Sequence, residues 1–400
     1  MTPQNRRRLR FVYLAPVDIQ VARVDRQSIV YLCSALARRG IPVELVGLGI
    51  ELSPAETHRA DHPLDLYGVR DRFPVEIVRT HLNQGSPSWA VGLTRLHVHV
   101  RAALKRVRHQ QPDELLVFYL KNYAPAFALL IARRVLSHFV VAFEAHVPPR
   151  NRFQNFLIRR VDAVITDSYA LADELQASGL IKEGRVIGIH QGVDLEMFSG
   201  TADKMQFRAS LDLPPDRPLA IYTGKIFRGY EEIEYILQAA SVEVVRHVLF
   251  VLVGGRGDHV ASLRKEATRR GLENVLFTGF VPPREVHLYQ RAADLLLLYY
   301  PTSVRASPYL SPGKLFEYMA SGVPIVAADL PVLRETLGDP PACIVVPPDS
   351  PADLAAAISR VLANAPAAKA RAADARQRVR AFTWDERARR ILEFLREAAL

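Results

Sequence analysis

The sequence predicts an α/β protein built from two facing Rossmann-like domains, each a doubly wound parallel sheet, with a helical segment closing the chain. Three observations carry this. Short apolar or β-branched runs alternate with amphipathic stretches from one end to the other, the pattern of right-handed βαβ units. The chain has 400 residues, 49% of them hydrophobic, ample for two cores and too long for one compact domain without repeats, of which none is visible. The alternation breaks once, between 198 and 218, where Asp203, Pro214, Pro215, Asp216 and Pro218 interrupt the periodicity. Domains are therefore expected over 1–200 and 201–400.

Taken in order, the first strand is expected at 11–15. Ile29, Leu32, Cys33 and Leu36 then recur at helical spacing until Gly40 supplies a left-handed stop before a strand at 43–48. Further strands in this half are expected at 75–78, 115–120, 139–143, 163–166 and 186–189. The second half repeats the pattern, with strands at 219–223, 248–253, 275–277, 295–298, 324–327 and 344–346. Helices fill 353–395, and the alanine-rich stretch 363–375 reads as helix.

Composition narrows the function classes. The net charge is +10, concentrated in the first half, which favours phosphate-bearing ligands or anionic surfaces without naming one. A nucleic-acid role would rest on that charge alone, so no nucleic-acid partner is expected. Two cysteines, Cys33 and Cys343, suggest no disulfide framework, and a reducing cytoplasm is the simplest compartment. The opening Arg6-Arg7-Arg8-Leu9-Arg10 and its apolar sequel imitate a signal peptide, but the run ends at Pro16-Val17-Asp18 without a small-residue cleavage site and reads as the first strand. No apolar run approaches the roughly 20 residues needed to cross a bilayer.

Three segments place chemistry-bearing residues beyond the carboxyl ends of strands, where parallel sheets bind ligands. In Ser311-Pro312-Gly313-Lys314-Leu315-Phe316-Glu317, proline and glycine precede a short helix whose N–H groups and positive dipole end form an anion site. Side chains lean toward a helix's N-terminus, so Glu317, one turn in, faces whatever binds there; a phosphate with a ribose beside it would fit, and a solvated Glu317 is the equal alternative. Tyr222-Thr223-Gly224-Lys225-Ile226-Phe227-Arg228 puts two cations on a turn where they could neutralise a diphosphate, although such pairs are more often solvated. Phe143-Glu144-Ala145-His146 closes a strand of the first half; a lone histidine is more often structural. Gly254-Gly255-Arg256-Gly257 lacks the full dinucleotide fingerprint and is given little weight as a nicotinamide site. No cysteine/histidine cluster has zinc spacing and no Asp-x-Asp follows an apolar run, so no metal is expected.

Together these segments resemble glycosyltransferase family 4, the retaining enzymes of the GT-B fold, across nearly the whole chain and most strongly over 219–336. Lys225 and Arg228 match the family's basic pair after Gly224, on a shorter turn than in many members. The 275–281 segment, with Gly279 and Phe280, is similar to the one whose backbone reads the nucleotide base. Glu317 matches the second of the family's two spaced glutamates, which holds the ribose, and His146 falls where the family has a histidine facing the sugar. Residues 165–175 and 192–198 are likewise similar to family stretches. Two positions depart: Tyr309 stands where many members have the first glutamate, and 17–23 replaces a glycine-rich loop after the first strand.

The resemblance implies a nucleoside diphosphate sugar bound in an interdomain cleft and attacked by an acceptor hydroxyl with retention. No metal or other cofactor enters. His146, Lys225 and Arg228 are the expected catalytic residues, and Gly224, Lys225, Arg228, Gly279, Phe280, Gly313, Lys314, Leu315 and Glu317 the donor-binding ones. Alternatives are a non-catalytic sugar-nucleotide-binding protein, motivated by Tyr309, and a sugar-nucleotide epimerase, for which no acid–base carboxylate pair is evident. The acceptor is read as lipid-linked or amphiphilic, at an anionic membrane surface on the inner face, because Arg79, Arg95, Arg101, Lys105, Arg106 and Arg108 accumulate beside Trp89, Val91, Leu93, Leu96, Val100 and Leu104 with no acidic residue between Glu76 and Asp113. An ordinary sheet-packing helix with solvated cations is the slightly favoured alternative.

Overall fold

The computed structural model describes residues 7–15, 17–20, 24–49, 62–80, 87–136, 139–227, 229, 231–304 and 307–398. The chain divides into two units, Met1–His190 with Trp384–Leu400, and Gln191–Thr383. The first contains β1 (Arg8–Leu14), α1 (Val24–Arg38), β2 (Val43–Gly49), β3 (Val75–Arg79), α2 (Ser88–Arg108), β4 (Glu114–Leu120), α3 (Tyr123–Ala132), β5 (Val140–Ala145), α4 (Arg152–Ile158), β6 (Ala163–Thr166), α5 (Tyr169–Ala177) and β7 (Val186–Gly188). Its seven strands are parallel, in the order β3-β2-β1-β4-β5-β6-β7.

The second unit contains α6 (Lys204–Ser210), β8 (Leu219–Thr223), α7 (Glu231–Ala240), β9 (Leu249–Val253), α8 (Gly257–Arg269), β10 (Val275–Gly279), α9 (Val286–Ala292), β11 (Leu295–Leu298), α10 (Gly313–Ser321), β12 (Ile325–Ala328), α11 (Pro331–Leu337), β13 (Ile344–Val346), α12 (Pro351–Ala363) and α13 (Ala365–Arg378). Its six strands are parallel in the order β10-β9-β8-β11-β12-β13. Every residue of β5, β8, β9 and β11 is buried, as expected of parallel strands covered on both faces. All thirteen strands fall where the apolar runs predict them, within one or two residues at each end except β1, which starts three residues early at Arg8.

The division differs from the expected 1–200 and 201–400 in two ways. The boundary lies ten residues earlier, and α14 (Trp384–Ala398) belongs to the first unit. There it packs on α1, with Trp384 against Tyr31 at 5.8 Å between ring centroids and Asp385 bonded to Arg38. The interrupted stretch is itself ordered. Asp203 caps α6 in a reciprocal capping box with Gln206. The buried Arg208 guanidinium donates to the carbonyls of Pro214, Pro215 and Arg217 and to Asp294 at 2.6 Å.

The α2 helix forms over the expected basic stretch, and its inner face is Val98, His99, Ala102, Ala103 and Val107, all buried. His99 bonds through Nε2 to the Ala15 carbonyl at 3.0 Å, and burial lowers its pKa to about 4, so the ring is neutral. Arg106 is likewise buried and held by Glu44 and Glu76 at 2.7 and 2.9 Å. It belongs to the packing of α2 on the sheet and is not among the cations available to a surface; Arg101, Lys105 and Arg108 remain exposed. The Trp89 side chain lies outside the described residues. Among the described residues no helix is long and apolar enough to cross a membrane.

Candidate functional site

In the second unit the strand order reverses between β8 and β11, which creates the switch point where an open parallel sheet binds ligands. Three glycines line the carboxyl ends there. The Gly224 N–H donates to the Val253 carbonyl and the Gly254 N–H to the Gly279 carbonyl, each at 3.0 Å. A Cβ on Gly254 would lie 2.2 Å from the Gly224 carbonyl oxygen, and its φ is +124°, so only glycine lets these turns approach. The 254–257 turn, given little weight in the sequence, is thus a structural part of the same edge.

Helix α10 starts after Pro312 and ends at Gly322 in the left-handed region, φ 69°. Open space surrounds the position of a Cβ on Gly313. N–H groups of a first turn have no partner inside the helix; that of Leu315 is taken by the Pro312 carbonyl at 2.9 Å, and its side chain is buried. Leu315 therefore anchors the turn, its side chain facing the interior of the unit. Tyr318 fixes α10 on β8, its hydroxyl accepting from the Thr223 N–H at 2.9 Å. Gln290, fully buried on α9, donates to Thr223 Oγ1 at 3.2 Å and to the half-buried Glu317 carboxylate at 2.7 Å. Glu317 is thereby held, not left to wave in solvent.

Lys314 behaves differently from a phosphate-binding lysine. Its ammonium stands 4.1 Å from the Tyr222 ring centroid, 4.6 Å from that of Tyr300 and 3.1 Å from Glu232. Burial lowers its pKa, against the opposing pull of Glu232. Glu232 also accepts from the Tyr222 hydroxyl at 2.8 Å, so the Lys314 side chain is spent inside the unit and only its backbone N–H is offered at the helix end. Lys225 is exposed and in no ion pair among the described residues. Gly279 has φ +78° and Phe280 is exposed at the end of β10. Arg228 lies outside the described residues. Tyr309 is partly exposed just before α10.

The first unit carries a second constellation, at the carboxyl ends of β4, β5 and β6. His146, just past β5 and partly exposed, contacts Asp167 through Nδ1, and its Nε2 is 3.7 Å from Glu144. Glu144 and Asp167 are both buried and share Arg387, whose Nη2 is 3.1 Å from each. Lys121, just past β4, lies 3.1 Å from Glu144. The other Arg387 branch donates to the Ile189 and His190 carbonyls. Burial pushes the Asp167 carboxyl up, but His146, Arg387 and Lys121 outweigh it and hold it well below the usual carboxylate range. Burial followed by the Glu144 charge pushes the Tyr13 and Tyr119 phenols up. Glu144, His146 and Asp167 are close enough to hold a metal ion, yet two cations already balance the two carboxylates, which opposes a further positive charge.

Sequence reasoning found His146 but not its setting. Glu144 and Asp167 sat inside stretches already singled out, one residue from a strand end, where their position was a signal. Arg387 had none, being 220 residues from Asp167 in the chain.

Two doubly wound parallel sheets of this order, with glycine-lined turns and a helix N-terminus at one switch point, define a GT-B-type α/β protein. The family model "Glycosyltransferase Family 4" matches residues 26–197 and "Glycosyl transferases group 1" matches 217–364, together about four-fifths of the chain. The chain belongs to this glycosyltransferase family. It is 28% identical over 260 residues to the D-inositol 3-phosphate glycosyltransferase of a Nocardioides species, covering 60% of this chain and 55% of that one. To the alpha-monoglucosyldiacylglycerol synthase of Streptococcus pneumoniae it is 26% identical, covering 45% and 40%. The chain thus spans about half the length of the curated relatives it matches. The fold is similar to sucrose-phosphate synthase from Thermosynechococcus elongatus, TM-score 0.73 at 21% identity over 98% of this chain and 99% of that one. It is also similar to Anabaena HepE in complex with UDP and glucose, TM-score 0.70 at 18% identity over 97% and 99%.

Proposed function

We propose that the protein transfers a sugar from a nucleoside diphosphate sugar to a hydroxyl acceptor, with retention of anomeric configuration and without a metal ion. The observation that carries this is the second unit's switch point, where the α10 N-terminus and Glu317, fixed by Gln290, converge beside the Gly224, Gly254 and Gly279 turns. That edge suits a nucleotide: backbone N–H groups and a dipole for the phosphates, and a held carboxylate for the ribose hydroxyls. A uridine donor is the first choice, since HepE was solved with UDP and glucose.

In the reaction the acceptor oxygen bonds to the anomeric carbon as the bond to the diphosphate breaks; negative charge grows on the leaving group, whose oxygen takes up the hydroxyl proton. Lys225, Arg228 and the α10 N-terminus are assigned to that charge. His146, its ring oriented by Asp167, is assigned to a hydroxyl of the transferred sugar. The Glu144–Asp167 pair carries its own counter-charges in Arg387 and Lys121, which argues against a metal ion held there.

The test combines binding and turnover. A thermal-shift screen against UDP-, GDP- and ADP-sugars is expected to single out one nucleotide, with about 2.7 kcal/mol of stabilisation at 100 times its Kd. That donor should be turned over in EDTA to nucleoside diphosphate and, with acceptor, to a product of unchanged anomeric configuration by NMR. No stabilisation by any nucleotide sugar overturns the reading. Stabilisation without turnover favours the binding-protein alternative that Tyr309 motivates.

A further inference from the structure

The first unit's topology gathers three helices that carry no acidic residue. Strands β3, β4, β5 and β6 advance in one direction across the sheet after the switch at β1. Right-handed crossovers therefore place α2, α3 and α4 on one face, and α3 packs against both α2 and α4. From 77 to 161 the chain has thirteen lysines and arginines against three acidic residues, Asp113, Glu114 and Glu144. Asp113 and Glu114 sit at the amino end of β4, away from the ligand edge, and Glu144 is buried with Arg387. None of the three lies on these helices.

The outer surface of α3 and α4 is apolar as well as basic. Phe127 and Ile131, four residues apart on α3, and Val135, three residues past its end, are 38, 49 and 85% exposed. Phe153 and Phe156, one turn apart on α4, are 48 and 43% exposed. Phe127 and Phe153 join the two helices into one patch, with ring centroids 5.5 Å apart, and Leu93 of α2 is also exposed. Around them stand Arg134, Arg150, Arg152, Arg159 and Arg160, all exposed. None forms an ion pair with an acidic side chain among the described residues. Arg160 instead lies over the Phe156 ring, 3.8 Å from its centroid. Some exposed arginines elsewhere hold carboxylates: Arg269 holds Glu266, and Arg389 holds Glu386 and Glu393.

We infer that the α3–α4 face docks onto an anionic lipid bilayer, with Phe127, Ile131, Val135, Phe153 and Phe156 in the headgroup boundary and the arginines on lipid phosphates. Unpaired cations around aromatic and aliphatic side chains complement that surface, whereas a second copy of this chain docking through the same face would need acidic residues that these helices do not offer. Helix α4, which carries Phe153 and Phe156, is capped by Asn151, five residues beyond His146. This rests on the proposed transfer in one respect: it identifies the acceptor as amphiphilic, presented at the bilayer beside His146. The docking itself does not depend on activity.

The test is co-sedimentation of the full chain with phosphatidylglycerol/phosphatidylcholine and with pure phosphatidylcholine vesicles, at low and high salt. Binding is expected only to the anionic vesicles and should weaken with salt. Each exposed arginine contributes about 1 kcal/mol near such a surface, so Arg152→Glu with Arg160→Glu should lower partition at least about 30-fold. Phe153→Ser with Phe156→Ser should lower it about tenfold or more. Arg269→Glu on α8 is the control and should change nothing. Unaltered melting temperature and nucleotide-sugar stabilisation in the variants separate loss of docking from loss of fold or of donor site. No binding to anionic vesicles at low salt, binding unaffected by the α4 variants, or concentration-dependent self-association lost in those variants in place of vesicle binding would overturn the inference.

Discussion

The two strand edges are built of opposite materials. The edge of the second unit is made of backbone: Gly224, Gly254 and Gly279 bring turns together, and α10 presents its N-terminus where a Cβ on Gly313 would meet nothing. The edge of the first unit is made of charge, with Glu144 and Asp167 locked by Arg387 and Lys121 and carrying His146 at the rim. A backbone cradle tolerates loss of one side chain because its N–H groups remain. A buried charge network does not, because each member neutralises another in a medium too dry to replace it with water.

The sharpest way to break this contrast is Arg387→Ala. It leaves two buried carboxylates facing each other without their shared partner, and a loss of about 3–5 kcal/mol is expected, read as a lowered midpoint in urea unfolding. A midpoint within error of the wild type would show that water reaches the pair and that the network is not dry.

A smaller effect is expected from acid. The folded pKa of Asp167 lies below its unfolded value of about 3.9. Its ion pairs therefore stabilise the protein fully above that value and are lost as the pH falls below it toward the folded pKa. Melting temperature should decline as pH drops below about 5, and Asp167→Asn should flatten the decline while lowering stability at pH 7. Parallel decline in both proteins would assign acid sensitivity to other carboxylates.

The smallest effect on stability is expected on the other edge. Glu317→Gln keeps a hydrogen-bonding side chain beside Gln290, so unfolding should be nearly unchanged. Charge-assisted bonds to the ribose are worth roughly 1.5–3 kcal/mol, so donor affinity should fall at least about tenfold by calorimetry. Unchanged affinity would remove Glu317 from the donor site.

The thirteen strands were legible in the amino-acid order, because a parallel strand buried on both faces must be written as a continuous apolar run, and local spacing placed Glu317 and Gly313 in the first turns of a helix and His146 at a strand end. It also marked the stretch between Glu76 and Asp113 as basic. How individual charges are used emerges from packing: Arg106 turns inward onto Glu44 and Glu76 and Lys314 onto Glu232, while the arginines of α4 stay unpaired by carboxylates among the described residues. Packing likewise returned α14 to the first unit, so that Arg387 reaches Glu144 and Asp167. Periodicity reports which way a side chain faces within its own element, whereas the partner of a charge is set by packing between elements that may lie two hundred residues apart, and no local pattern encodes it.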